Sequence, residues 1–436
     1  MVCGTWANYF PARSQPPAHS FVGAPLAWCF HGSCLGCGDL LSIVGGVFVG
    51  GKRMGYDAVR IEALEGREAV RKRPGMWVGS TSERGVHELV LQVVSWSVNR
   101  VLAGREGGSV DVTLTHDGGV RVADDGPEVP FTADGKIGGS GLEALLTAMP
   151  AAERGGRRIV HLSPVGCRGL FVPNVLSSRL TAEVRHRGTR RVQEYARGVA
   201  VARPAAAGPM TGSGPVIAFW PDAELFETTR CSFAVLAERF RQVAFLNRGL
   251  GISLTDERPA GGARAVSFRF PDGVRDFVAA LDAEEAGFFH PDVFGFEHED
   301  PRMAGVMEVA LLWNGSHRER VRGFANSWAT REGGTHLDGF RDGVVAAVTA
   351  YAREQGLLTG DDVPCADRIG AGLTAVVSVK LDCPEYLGAT RELLGNTEVR
   401  GCVGEAVRER LGSWFEEQPK SAAEVVDRIL RNTRQD

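Results

Sequence analysis

The residues with the types and spacing to do chemistry lie on one stretch, His87 to Gly104, and on an acidic turn that follows it. Gln92, Trp96 and Asn99 stand at i, i+4 and i+7, so a helix would bring an indole and two amides onto a single face. Such a face can donate and accept hydrogen bonds, but an amide takes no proton near neutral pH. Asp124, Asp125 and Gly126 read, on their own, as an ordinary turn. Nearer the amino terminus, Cys29, His31, Cys34 and Cys37 offer four soft or borderline ligands for a zinc knuckle. No second ligand pair at finger spacing follows them. The alternative is that residues 1 to 53 are not natural protein, because Gly50-Gly51-Lys52 can be encoded by a purine-rich ribosome-binding sequence just ahead of Met54. Cys167 has no indicated histidine partner and reads as an inert thiol.

The elements that must position these residues can be read from period and punctuation. A helix is predicted at 61–72 and stopped by Pro74 and Gly75. The stretch His87 to Leu102 has Leu89, Val90, Val93 and Val101 in one apolar row, with Val86 and the small Ser97, as a helix with a buried face requires. Val110 to Thr115 and Val120 to Ala123 alternate around His116-Asp117-Gly118-Gly119, a hairpin signal. Strands are predicted near 180–185, 193–195 and 216–220, then a helix at 233–247. A composition change at Pro259-Ala260-Gly261-Gly262 suggests a domain boundary. Beyond it come strands near 266–270, 306–313 and 320–325, a helix at 338–355, a strand at 373–381 and helices near 402–417 and 421–431. This mixture is an α+β class.

Composition narrows the partners. The 436 residues suffice for two or three domains, and 49 basic against 53 acidic side chains leave a net charge of −4, so no global excess marks a nucleic-acid binder. The nine cysteines, four of them in the first 37 residues, suit a reduced compartment better than a disulfide scaffold. The longest apolar run, near Leu40 to Val49, is too short to span a bilayer. A soluble, cytoplasmic protein with no membrane partner is expected.

Four segments carry a resemblance: YDAVRIEALEGREAVRKRPGMWVGST from Tyr56, HELVLQVVSWSVNRVLAG from His87, VRVADDGPEVP from Val120, and LTAVVSVKLDCPEYLGATRELLGNTEVRG from Leu373. Together they resemble the amino-terminal half of the gyrase B family of type II DNA topoisomerases, over about Tyr56 to Asn432. The resemblance implies a GHKL ATPase-type α/β sandwich over residues 54–258. A transducer domain with a ribosomal-protein-like β-α-β fold would follow over residues 259–436. It also implies ATP and Mg²⁺ as cofactors, a homodimer, and gyrase A, gyrase B or DNA as partners.

The departures from the family fall where the resemblance places its chemistry. Gln92 stands at the general base, a position whose loss costs on the order of 100 to 10,000-fold in rate. Trp96 stands at the Mg²⁺ ligand, and an indole has no acceptor oxygen for a hard cation. Asp124 matches the carboxylate that accepts from the adenine amino group, and Gly126 the first glycine after it, but Pro127 and Glu128 follow. The glycine-rich lid matches HLSPVGCRGLFVPNVLSS, which keeps Gly166 and Gly169 and puts Ser163 and Pro164 at the paired glycines; Pro173 is expected to interrupt the next helix. Pro215 replaces a threonine that holds a water. Ala389-Thr390-Arg391 stands at the Gln-Thr-Lys loop, with Arg391 keeping the charge that meets the γ-phosphate. Tyr56, on the arm, matches a tyrosine that touches the nucleotide of the other protomer.

No Toprim carboxylate cluster can be read in these residues. Three functions are compatible with these residues: a gyrase-B-like pseudoenzyme acting as a dimerising or regulatory module in DNA topology, an active ATP-hydrolysing topoisomerase component, and a purely structural dimerisation protein.

Overall fold

The computed structural model describes residues 66–104, 107–129, 141–149, 158–163, 169–186, 189–208, 214–283, 293–358, 369–388 and 390–434. The zinc-knuckle residues, Met54 and Tyr56 lie outside them. The described residues belong to a unit running from Ala63 to Asp436, and it has the α+β architecture expected.

Two short helices, α1 (Gly66–Lys72) and α2 (Gly75–Val78), precede the long α3 (Glu83–Gly104). Pro74 stands between the first two, where its missing N–H breaks the helical ladder. Strands β1 (Ser109–Leu114) and β2 (Val120–Asp124) pair antiparallel from Val110↔Asp124 to Leu114↔Val120, the expected hairpin. Helices α4 (Leu142–Thr147) and α5 (Phe171–Val175) lead to β3 (Ser177–His186), β4 (Thr189–Ala196), the short β5 (Val199–Ala200) and β6 (Ala205–Ala206), and β7 (Val216–Pro221). After α6 (Phe233–Leu246), β8 (Gly251–Asp256) joins β1 in parallel.

The strand β9 (Arg264–Phe268) corrects one expectation: it follows the composition change at Pro259 that suggests a boundary, yet it pairs with β8 as the edge of this first sheet. The reason is local. The glycine turn at 259–262 is a hairpin connection that sends the chain straight back.

Val110, Val112, Val122, Leu180 and Phe219 project from the first sheet into one core with Val90, Val93 and Val101 of α3. Two scaffold motifs close it. Arg71 of RKRPGM donates to Val175 O at 3.0 Å and pairs at 2.8 Å with Asp222 of FWPD, which is 2 % exposed and also takes Arg197 at 3.2 Å. A carboxylate held by two guanidiniums is a hydrogen-bonded buried charge rather than an orphan.

The second sheet follows α7 (Val274–Ala283) and runs in the order β10 (Phe294–Asp300), β11 (Gly305–Trp313), β15 (Leu373–Leu381), β12 (Arg320–Ala325), β13 (Trp328–Ala329). Strands β12 and β15 are parallel, which requires a crossover, and α8 (Thr335–Glu354) lies between them in the chain. The near-continuous apolar runs in β11 and β15 follow from burial on both faces. Ala375, Val377 and Val379 face a core with α8 and the closing helices Thr397–Glu417 and Pro419–Arg434. Val376, with Ala310 and Leu312, faces a separate cluster with Phe245 of α6 and Phe277 of α7. The third sheet joins EGGTH to LGNTEVRG: β14 (Gly333–Gly334) pairs with β17 (Leu393–Leu394), and β17 pairs with β16 (Tyr386–Leu387).

Glycines let α8 approach the helix Thr397–Glu417 closely. A Cβ on Gly339 would lie 2.3 Å from Arg400 O, and one on Gly343 would lie 2.6 Å from Gly404 O. Gly339→Ala should therefore cost about 1–3 kcal/mol through forced separation of the two backbones. Gly401→Ala, with nothing within 4 Å of its added Cβ, should be neutral or slightly stabilising. Denaturant midpoints of the two variants measure the contrast; equal midpoints would contradict it.

Burial also gives His336 a pH role. Its ring is fully buried against Thr330 Oγ1 at 2.9 Å, and burial lowers its pKa to about 3. The unfolded chain takes up a proton near pH 6.5 that the folded chain refuses until about pH 3, so this stability is present above 6.5 and lost on acidification. Between pH 6.5 and 5 the loss should be on the order of 2 kcal/mol. A His336→Gln variant should show a flatter stability profile over that window.

Candidate functional site

Helix α3 is buried nearly all round over its first three turns, from Gly85 to Val94. One side rests on the first sheet, and polar side chains at every fourth position, Glu88, Gln92, Trp96 and Arg100, share a row along the helix. Gln92, 1 % exposed, donates from Nε2 to Trp77 O at 3.1 Å, while its Oε1 is buried without a hydrogen-bond partner. Trp96 is half-buried against the first core.

Arg100 ties the end of this row to the acidic turn. Its guanidinium stands 4.8 Å from the centroid of the Trp96 ring, donates to Pro127 O, and lies 3.7 Å from Asp124 Oδ1. A guanidinium over an indole is favoured by the ring quadrupole as well as by shape. Burial lowers the Arg100 pKa, and the neighbouring carboxylate opposes that shift.

Asp124 ends β2 and is 8 % exposed. Its Oδ1 accepts from Gly126 N at 3.0 Å. Its Oδ2 is buried without a hydrogen bond; the Ser97 hydroxyl is close enough to favour the charged form but is not placed to make one. Burial raises the Asp124 pKa, and Arg100 is the main opposing influence. The backbone here is crowded. A Cβ on Gly126 would come 2.9 Å from Asp124 Oδ1, and one on Gly214 would come 2.0 Å from Asp124 O. Pro215 lies beside Asp124, its carbonyl accepting from Asp124 N at 3.4 Å. Pro127 and Glu128 are exposed, and Pro127 packs on the carboxyl end of α3 at Gly104.

The residues that lead into the lid, 158–163, are fixed from two sides. Asn99 donates to Val160 O at 2.9 Å and accepts from Val160 N at 2.8 Å, and Ser95 Oγ donates to the same carbonyl at 3.0 Å. From the second sheet, Asn326 donates to Ile159 O at 3.0 Å and to Leu381 O at 2.9 Å, while its own carbonyl accepts from His161 N at 2.7 Å. Ser163 is buried beside Glu88; burial raises the Glu88 pKa and the Ser163 hydroxyl opposes that shift. Gly166, Pro164 and Cys167 lie outside the described residues. Gly169 is buried just before α5.

Pro173 corrects an expectation. Rather than interrupting the helix, it sits inside α5, in the first turn, where no backbone N–H is needed for the helical ladder. Its carbonyl accepts from Ser177 Oγ at 2.6 Å, so the residue is built into the helix end.

Thr390 and Arg391 are exposed in the turn between β16 and β17, and Arg391 adopts φ 57°. Ala389 lies outside the described residues. No hydrogen bond or ion pair joins Arg391 to Gln92 or Asp124 among the described residues. The structure thus gathers Trp96, Asp124, Gly126 and Pro215, with Gln92 a turn earlier on α3, and leaves Arg391 apart.

Two residues escape the sequence reading. Arg100 is four positions beyond Trp96, and Glu88 is four before Gln92, so extending the i, i+4 row in both directions would have found them.

A family model described as DNA gyrase B matches residues 273–436. The chain is 42 % identical over 388 residues to the DNA gyrase B protein of Streptomyces coelicolor, covering 85 % of this chain and 56 % of that protein. It is 35 % identical over 413 residues to the DNA gyrase B protein of Mycobacterium tuberculosis, covering 87 % and 60 %. It therefore spans little more than half the length of these relatives. Among solved structures, it is similar to the 43K ATPase domain of Thermus thermophilus gyrase B, determined in complex with an aminocoumarin. The TM-score is 0.72 at 30 % identity, over 84 % of this chain and 94 % of that one. The ATP-binding domain of Francisella tularensis topoisomerase IV gives a TM-score of 0.68 at 25 % identity, over 84 % of this chain and 96 % of that one. With likeness at this level to both sequences and solved structures, the chain belongs to the DNA gyrase B family.

Proposed function

We propose that this chain is a gyrase-B-type ATPase and transducer unit that has lost hydrolysis and serves as a dimerising or regulatory module in DNA topology. The ATPase-like domain would run from residue 54 through β9, to Phe268, and the transducer would follow it to residue 436. The observation that carries this reading is the row on α3: an amide at Gln92, an indole at Trp96 and the Arg100 guanidinium laid against Asp124.

The fit of the family's cofactors divides along that row. Asp124 keeps a buried oxygen without a hydrogen bond, which suits an amino group of a purine. Mg²⁺ does not fit. Trp96 presents no acceptor, and no group of three His, Cys, Asp or Glu side chains is placed to hold a metal among the described residues. No catalytic step through the metal is derived.

A homodimer, a complex with gyrase A or gyrase B, and contact with DNA are the partner expectations that follow from the family. No helix among the described residues is long and apolar enough to cross a membrane. Calorimetric titration of the chain with a non-hydrolysable ATP analogue, with and without Mg²⁺, tests the reading. Binding that is indifferent to Mg²⁺, or no binding together with capture of gyrase A or gyrase B, supports it. Mg²⁺-dependent binding together with ATP turnover would establish an active ATPase instead.

A further inference from the structure

A cavity of about 730 Å³ lies on the other flank of α3, lined by α6, β12, β13 and the start of α8. Neither Gln92, Trp96 nor Asp124 lines it. Its size falls within the range of pockets that hold small organic ligands.

The walls are two-sided in character. Leu91, Leu236 and Phe324 give apolar surface, and the charged lining is Arg84, Arg239, Arg322 and Arg331 with Glu88 and Glu238. Arg331 is also paired with Glu392 at 3.7 Å, Glu238 with Arg241 at 3.8 Å, and Arg322 lies 5.8 Å from the centroid of the Phe277 ring. Guanidiniums outnumber carboxylates in the lining and are the side chains best shaped for phosphate or carboxylate. Arg239 stands 4.9 Å from the centroid of the Trp328 ring and donates to Gln242 and, at 3.5 Å, to Leu162 O, so its direction is fixed. Crowding by protein atoms lowers its pKa to about 10, which leaves it charged at neutral pH.

Two polar atoms in this lining are buried without hydrogen bonds: Glu88 Oε2, on a side chain 8 % exposed, and Trp328 Nε1. One accepts and the other donates. Buried polar atoms left in this way are unfavourable unless something satisfies them. An acceptor and a donor beside clustered guanidiniums describe a ligand with complementary ends.

We propose that this cavity is a second ligand site, separate from the one at Asp124, for a small molecule with a phosphate or carboxylate at one end and an N–H donor at the other. The anion meets Arg239 and the arginines at the mouth, with Trp328 Nε1 donating to one of its oxygens. The N–H donates to Glu88 Oε2. Val235, 52 % exposed and part of the lining, supplies an apolar edge for the ligand body.

Titration calorimetry on the full chain with AMP, GMP, L-glutamate and inorganic phosphate tests this. At least one organic probe should bind saturably and more tightly than inorganic phosphate, and the probe that does so distinguishes a phosphate ligand from a carboxylate one. Arg239→Gln and Trp328→Phe should each weaken it by roughly tenfold. Trp328→Phe removes little more than the N–H, so it keeps the test valid if the arginine variant melts early. The proposal is overturned if no organic probe binds, if inorganic phosphate binds as tightly as all of them, or if Trp328→Phe has no effect, the last of which would place the ligand elsewhere on the molecule.

Discussion

Gln92→Glu alone is expected to leave phosphate release from ATP at the level of the unaltered chain. The new carboxylate would replace an amide that donates to Trp77 O at 3.1 Å, so it would face a carbonyl in a buried place. Both burial and the lost donor favour its protonated form, which is useless as a base. Trp96 would still present no oxygen for a metal, and Arg100 would still lie against Asp124. A well-placed base is worth on the order of 100 to 10,000-fold. A gain of that size from this single change would show that the metal seat is intact. The combined Gln92→Glu, Trp96→Asn, Arg100→Ala variant, by contrast, should release phosphate faster than the single variant in the same assay.

Arg100→Leu should destabilise the chain by about 3 kcal/mol at neutral pH, because it strands a buried carboxylate without its cation. The Asp124 side chain is 1 % exposed and that of Arg100 16 %, so solvent screens the pair little. The pH dependence follows from the raised Asp124 pKa. A carboxyl whose folded pKa lies above its unfolded value is stabilising when protonated, and that contribution is lost as pH rises through the folded value. Without the guanidinium the shift grows, so the deficit of Arg100→Leu should shrink on acidification. Asp124→Asn in the same background should recover part of it, with a coupling of about 1–3 kcal/mol in the double-mutant cycle. Additive effects, independent of pH, would mean that the two groups do not sense each other.

Much of the fold is legible because its elements carry long, regular patterns. The hairpin around His116 to Gly119, α6, the long helix at Thr335–Glu354 and the two-faced strand Leu373–Leu381 lie within a few residues of their expected positions. Strand β9 falls on the other side of the expected boundary because a glycine turn looks the same in a linker and in a hairpin; only the pairing with β8 separates them. The helix Val274–Ala283 is not among the expected elements, although Val274, Phe277, Val278 and Leu281 have the helical period. The α3 positions of the candidate site are legible as chemistry, but not as contacts. That Arg100 turns back onto Asp124 depends on how α3 packs over β2, and no spacing within the helix encodes it. Glu88 is hidden for a similar reason, since its burial is completed by the second sheet and α6, far away in the chain.

Whether the α3 row supports hydrolysis is tested most directly by steady-state phosphate release from ATP and Mg²⁺ by the full chain, run beside an Asp124→Asn variant. Loss of hydrolysis predicts background release that is the same for both proteins. Release well above background that disappears in Asp124→Asn would contradict it.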